Sequence, residues 1–121
     1  DDYQDFTIML RTLLQRQDFQ IRTLSSGEEA VSMCQFMNPD VIILDLLMPG
    51  MDGWEVCRRI REFSEIPILI LSALGVPANV ARALDAGADD YLIKPVHASV
   101  LCSRLRSLVR RSALKVRPSA A

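Results

Sequence analysis

PDVIILDLLMPGMDGWE, residues 39–55, is the stretch that decides the fold. Its first half, Val41 to Leu44, is an unbroken apolar run bounded by turn formers, the pattern of a strand buried on both faces of a parallel sheet. From Gly53 a helical pattern runs to Phe63, with Val56, Cys57 and Ile60 on its inner stripe. Between the two stands Asp45. A carboxylate at the end of a buried strand is costly unless something compensates it, and turns at Pro49-Gly50 and Asp52-Gly53 leave its far side open. By itself such an aspartate reads more often as a turn or helix cap than as a reactive group, so its neighbours have to decide.

Outward from this stretch, helical and strand patterns alternate. Phe6, Met9, Leu10, Leu13 and Leu14 repeat at helical spacing, and Gln20 to Leu24 reads as a short strand after a turn at Gln17-Asp18. Ser25 and Ser26, with Glu28 and Glu29 three residues on, offer two capping boxes for a helix carrying Ala30, Val31 and Cys34, which Pro39 ends. Beyond Phe63 come a strand over Ile66 to Leu71, a helix over about 77–86, a strand over Tyr91 to Lys94 and a last helix with the stripe Leu101, Leu105 and Leu108. This alternation predicts an α/β domain with a parallel sheet, and such sheets carry their sites beyond the carboxyl ends of the strands. Asp45, Ser72 and Lys94 each close or immediately follow an apolar strand.

Composition narrows the classes of function. The chain has 121 residues, 50% hydrophobic and 24% charged, the balance of one globular domain with a real core rather than of a disordered segment. Its apolar runs fall far short of the roughly 20 residues a membrane-spanning helix needs, and no secretory leader is expected, so a cytoplasmic protein without a membrane partner is predicted. A net charge of −1 does not point to nucleic acid. The charge is uneven, however. No acid follows Asp90, and Arg104, Arg106, Arg110, Arg111, Lys115 and Arg117 make the C-terminus basic, which reads first as a solvated helix face and the start of a linker. Cys34, Cys57 and Cys102 lack metal or redox spacing and fall on apolar stripes, as buried, reduced thiols do.

Asp1 and Asp2 form a second acidic cluster, and Lys94-Pro95 a third polar element at a strand end. Carboxylates that converge on one pocket usually share a hard divalent cation such as Mg²⁺. A lysine beside them can hold the oxygens of a transferring phosphoryl group, and Ser72 can donate a hydrogen bond to the same group.

These strings together closely resemble the response-regulator receiver family of two-component signalling. The resemblance rests on the Asp1-Asp2 pair, the stretch around Asp45, ILILSA ending at Ser72-Ala73, and GADDYLIKP around Lys94. It implies a flavodoxin-like, doubly wound parallel sheet of five strands in the order 2-1-3-4-5 with five helices. It also implies that Asp45 is the phosphoacceptor, that Asp2, Asp45 and the Leu47 backbone carbonyl bind Mg²⁺, and that Asp1 acts through water. Lys94 would pair with Asp45 or its phosphate, Ser72 would be the switching hydroxyl and Tyr91 the switching aromatic. The phosphoryl donor would be a sensor histidine kinase. A cis peptide is implied between Lys94 and Pro95. The family's first strand would precede Asp1, so residues 1–112 are expected to be a receiver lacking that strand and residues 113–121 the start of a linker.

Arg82, Asp89, Asp90 and Arg104 resemble the dimer surface, formed by the fourth helix, last strand and last helix, of receivers attached to winged-helix DNA-binding domains. DNA would then be reached only through a separate output domain. Val100 stands where that subfamily often carries an acid. A receiver-like interaction domain independent of phosphorylation is the competing function, and its signature would be loss of the pocket residues. An aspartyl-phosphate phosphohydrolase acting on an external substrate needs a second acid two residues beyond the nucleophile, where this chain has Leu47. Only self-phosphorylation and self-dephosphorylation are therefore expected. Leu47 and Leu74, which cannot orient water, imply a long-lived phosphoaspartate.

Overall fold

A computed structural model of the chain describes residues 26–46 and 52–115, with side chains to Arg111. The helix and strand expected ahead of Ser25, the acidic pair Asp1-Asp2 and Leu47 lie outside the described residues.

Helix α1 spans Gly27–Phe36. Its start is set by the second capping box, in which Ser26 Oγ accepts from the Glu29 amide at 3.2 Å. It ends at Phe36, with Met37 already extended, ahead of the Pro39 that cannot continue it. Strand β1 is Ile42–Leu44, one residue shorter than the apolar run. Helix α2, Gly53–Arg61, begins at Asp52, whose carboxylate accepts from the Glu55 amide at 2.8 Å. It ends two residues before Phe63, with Arg58, Arg59 and Arg61 in the last turn, where the helix dipole favours cations. Strand β2 follows at Ile68–Ser72, then α3 at Pro77–Asp85 with proline in its first turn, β3 at Asp90–Ile93 and α4 at Ala98–Lys115.

The described strands form one sheet in the order β1-β2-β3, all parallel. Ile42 to Leu44 pair with Ile68 to Ile70, and Leu69 to Ser72 pair with Asp90 to Ile93. Central β2 is buried from end to end. Its side chains alternate between two cores, as the period of a strand requires. Ile68 and Ile70 pack with Ala30, Val56, Cys57, Ile60 and Ala83, while Leu69 and Leu71 pack with Leu101, Cys102, Leu105 and Leu108. Helices therefore cover both faces of the sheet. Each fully buried aliphatic side chain in β2 contributes about 1.5–3 kcal/mol by leaving water, so this strand anchors both layers.

Arg61 closes the end of the sheet remote from Asp45. Its guanidinium donates to the carbonyls of Gly87 at 2.9 Å, Ser64 at 3.2 Å and Ile66 at 2.6 Å, and pairs with Asp89 at 2.7 Å. The same Asp89 oxygen accepts from the Ile68 amide at 2.8 Å. Gly87 has φ 115°, and a Cβ there would lie 2.5 Å from Arg61 Cγ, so conformation and space both demand glycine. Of the three thiols, Cys57 and Cys102 are buried and Cys34 is half-buried. Burial raises the Cys34 thiol and pushes Cys57 up to about 11, which keeps Cys57 protonated and unreactive near neutral pH.

Candidate functional site

The carboxyl ends of the three strands bring together the three polar residues singled out in the sequence. Asp45 follows Leu44 directly, Ser72 is the last residue of β2, and Lys94 follows Ile93 at the end of β3. The Lys94 amide donates to the Ser72 carbonyl at 2.8 Å, which fixes the lysine backbone beside β2. From there its ammonium crosses to Asp45 and lies 2.7 Å from Oδ2. The two side chains are 24% and 14% exposed, sheltered enough to strengthen the attraction and open enough for a ligand to reach them. Desolvation offsets much of the Coulombic gain of such a pair, so its worth lies in holding the carboxylate and ammonium in register rather than in stability.

Ser72 is fully buried, and its Oγ accepts from the Leu74 amide at 3.2 Å. The Tyr91 hydroxyl donates to the Leu74 carbonyl, so the aromatic ring of β3 is tied to the loop that follows Ser72. Leu74 itself packs against the core beneath α2, as does Tyr91. The Lys94-Pro95 peptide is cis, as the resemblance implies.

Oxygen donors suit Mg²⁺, and Asp45 supplies one such group at the mouth of the site. Asp1, Asp2 and Leu47, the other expected ligands, lie outside the described residues. Among the described residues no group of three or more His, Cys, Asp or Glu gathers elsewhere. Asp52 is committed to capping α2. Glu55, one turn on, bonds Arg58, and that bond with the arginine charge holds its carboxyl below the usual range.

Within the chain, the four residues expected on a dimer surface meet different partners. Asp90 and Arg104 meet at 2.9 Å within the chain. Asp89 engages Arg61 and the start of β2 instead. Arg82 lies over the ring of Trp54, its guanidinium carbon 3.9 Å from the centroid, while Trp54 Nε1 is buried with no partner among the described residues. The roles of Arg61 and Trp54 escaped the sequence. Arg61 stands four residues after Cys57, on the edge of the apolar stripe of α2, and a charge in that position is the signal that was available.

The whole arrangement extends over residues that match a known family model. Residues 1–106 match the response regulator receiver domain. The chain belongs to that family. It is 43% identical over 102 residues to the transcriptional regulatory protein AfsQ1 of Streptomyces coelicolor, covering 84% of this chain and 45% of AfsQ1. A Francisella response regulator receiver domain superposes with a TM-score of 0.86 at 31% identity, covering 93% of each chain. The receiver domain of a Pseudomonas aeruginosa sensor histidine kinase, described with magnesium coordinated in its active site cleft, gives 0.80 at 25% identity, covering 86% of this chain and 88% of that one. The flavodoxin-like receiver fold is therefore the fold of this chain. The chain spans about half the length of the curated relatives it matches. Among the described residues no helix is long and apolar enough to cross a membrane.

Proposed function

We propose that this receiver accepts a phosphoryl group on Asp45 from a phosphohistidine of a sensor histidine kinase and passes the change to a transcriptional output. The observation that carries this reading is the 2.7 Å contact between Lys94 and Asp45, made across β2 from separate strands at the open end of the sheet. A carboxylate held there has little structural purpose, because an apolar residue would cost less to bury. The competing interaction domain has no need of such a pair.

An Asp45 carboxylate oxygen attacks phosphorus, the P–N bond to histidine breaks, and the imidazole nitrogen leaves with the bonding pair and takes up a proton. Asp2, Asp45 and the Leu47 carbonyl, with Asp1 through water, would hold Mg²⁺, which when bound neutralises charge on the phosphoryl oxygens. Lys94, already at Asp45, keeps its ammonium beside the new phosphoryl group. Ser72 Oγ turns its proton to a phosphoryl oxygen, and the loop bonded by Tyr91 through Leu74 moves with it. The face formed by α3, β3 and α4 then changes, and two receivers pair across it, with Asp90 and Arg104 at its edge. DNA is contacted by a separate output domain, and the protein works in the cytoplasm.

With acetyl phosphate and Mg²⁺ the intact natural protein is expected to gain one phosphoryl group by intact mass, and none when the metal is chelated. Uptake that ignores chelation, or no uptake in Mg²⁺, contradicts the proposal. The receiver also dephosphorylates itself slowly, because neither Leu47 nor Leu74 can align a water with the scissile bond. The double variant Leu47→Asn, Leu74→Glu is expected to shorten the half-life of the phosphorylated state. Equal decay of parent and double variant at matched Mg²⁺ would remove these leucines as the timer.

A further inference from the structure

The first residue of α2 rests on the backbone of the phosphoacceptor with no side chain between them. A Cβ built on Gly53 would lie 2.8 Å from Leu46 Cα, 2.8 Å from Leu46 Cδ2 and 3.2 Å from the carbonyl oxygen of Asp45. The Gly53 amide faces the Leu46 carbonyl at 3.4 Å. Among the described glycines a positive φ belongs to Gly87, not Gly53, so what Gly53 supplies is room rather than an unusual conformation.

A side chain at this position has to displace one of two things. Helix α2 resists, because Val56, Cys57 and Ile60 are fully buried beneath it and Arg61 ties its end to Gly87, Ser64, Ile66 and Asp89. Leu46 is itself buried in the same core, so both sides resist and part of the displacement falls on the Asp45-Leu46 backbone. Any shift there is carried directly to the carboxylate that Lys94 holds at 2.7 Å.

We propose that Gly53 is a positioning residue for phosphoryl transfer, setting through backbone contact where the Asp45 carboxylate stands relative to Lys94 and Mg²⁺. This rests on the phosphoacceptor role of Asp45. It assigns Gly53 no contact with the phosphoryl group.

The test compares Gly53→Ala with Gly87→Ala in the intact natural protein. Gly87→Ala strains the backbone and strikes Arg61 at the far end of the sheet, so it controls for lost stability. Two readouts are taken: the rate of uptake from acetyl phosphate at saturating Mg²⁺, and Mg²⁺ affinity in the absence of donor, followed by fluorescence of the single tryptophan, Trp54. Misplacement of a reacting group by about 1 Å can cost roughly 100-fold in rate. For a shift of a few tenths of an ångström, Gly53→Ala is expected to slow uptake about tenfold and to weaken Mg²⁺ binding several-fold. Gly87→Ala is expected to lower Tm with both readouts near parental. Asp52→Ala, which only loosens the start of α2, is expected to move both readouts the same way to a smaller extent, and it replaces Gly53→Ala if that variant does not fold. Parental rate and Mg²⁺ affinity in the Gly53 variant, or in Asp52→Ala where it stands in, overturn the inference, as does equal slowing by Gly87→Ala. Failure of the parent to take up phosphate instead overturns the phosphoacceptor role beneath it.

Discussion

Asp45→Ala is expected to reduce phosphoryl uptake to background while leaving the fold intact. Asp45 is the acid at the carboxyl end of β1, and its Oδ2 is aligned by the Lys94 ammonium at 2.7 Å. No described neighbour can take over. Asp52 lies across the loop but its carboxylate is engaged by the Glu55 amide at 2.8 Å, where it serves α2. Asp90 is held by Arg104 and its own strand. The more demanding variant is Asp45→Asn, which keeps the size of the side chain and a hydrogen-bond acceptor for Lys94 but removes the anionic nucleophile. It is expected to be equally inactive toward acetyl phosphate, with a circular dichroism spectrum like that of the parent. Residual uptake above background in both variants, measured by intact mass, would place the acceptor elsewhere.

The largest effect on stability is expected at Arg61, far from that chemistry. One guanidinium satisfies three carbonyls and one carboxylate, and so joins the end of α2, the start of β2 and the connection from α3 to β3. Hydrogen bonds to a charged group contribute roughly 1.5–3 kcal/mol each, but Arg61 and Asp89 are partly exposed, at 23% and 32%, and water can replace some of what is lost. Arg61→Ala is therefore expected to cost about 2–4 kcal/mol, seen as a Tm lower by roughly 10 °C or more. Arg61→Lys should recover little, since a single ammonium cannot span a fork of four acceptors. A loss below about 0.5 kcal/mol in denaturant titration would show the network to be no more than an ordinary surface pair.

Much of this is legible in the amino-acid sequence. Two capping boxes, at Ser25 and Ser26, mark the start of α1 to within a residue, because capping residues act over three positions of chain, and the structure uses the second. The apolar run Val41 to Leu44 reads as a strand covered on both faces, but in β1 Ile42 and Ile43 are half-buried and Leu44 alone is buried, and the strand buried along its whole length is its neighbour β2. The meeting of Asp45, Ser72 and Lys94 followed from one rule, that parallel strands present their carboxyl ends to the same side.

What stayed hidden depends on contacts between residues distant in sequence. Asp89 looked like a surface acid beside Asp90, yet adjacent residues of an extended chain point opposite ways, and Asp89 turns to Arg61 while Asp90 turns to Arg104. Arg82 reads as one of the cations of a dimer surface. The ring that it covers belongs to Trp54, on another helix, and no local pattern links the two. The demand for glycine at position 53 lies wholly in the approach of another backbone, which spacing along the chain does not encode.

The most direct measurement is to locate the modified residue. The intact protein is treated with acetyl phosphate and Mg²⁺, the acyl phosphate is trapped by borohydride reduction, and its peptides are mapped by tandem mass spectrometry. An aspartyl phosphate at position 45 is converted to homoserine in the peptide that contains Leu44 and Leu46, and this single conversion, absent without Mg²⁺, is the predicted result. Homoserine at another aspartate, or an unchanged residue 45 in protein whose mass shows the phosphoryl group, would contradict it.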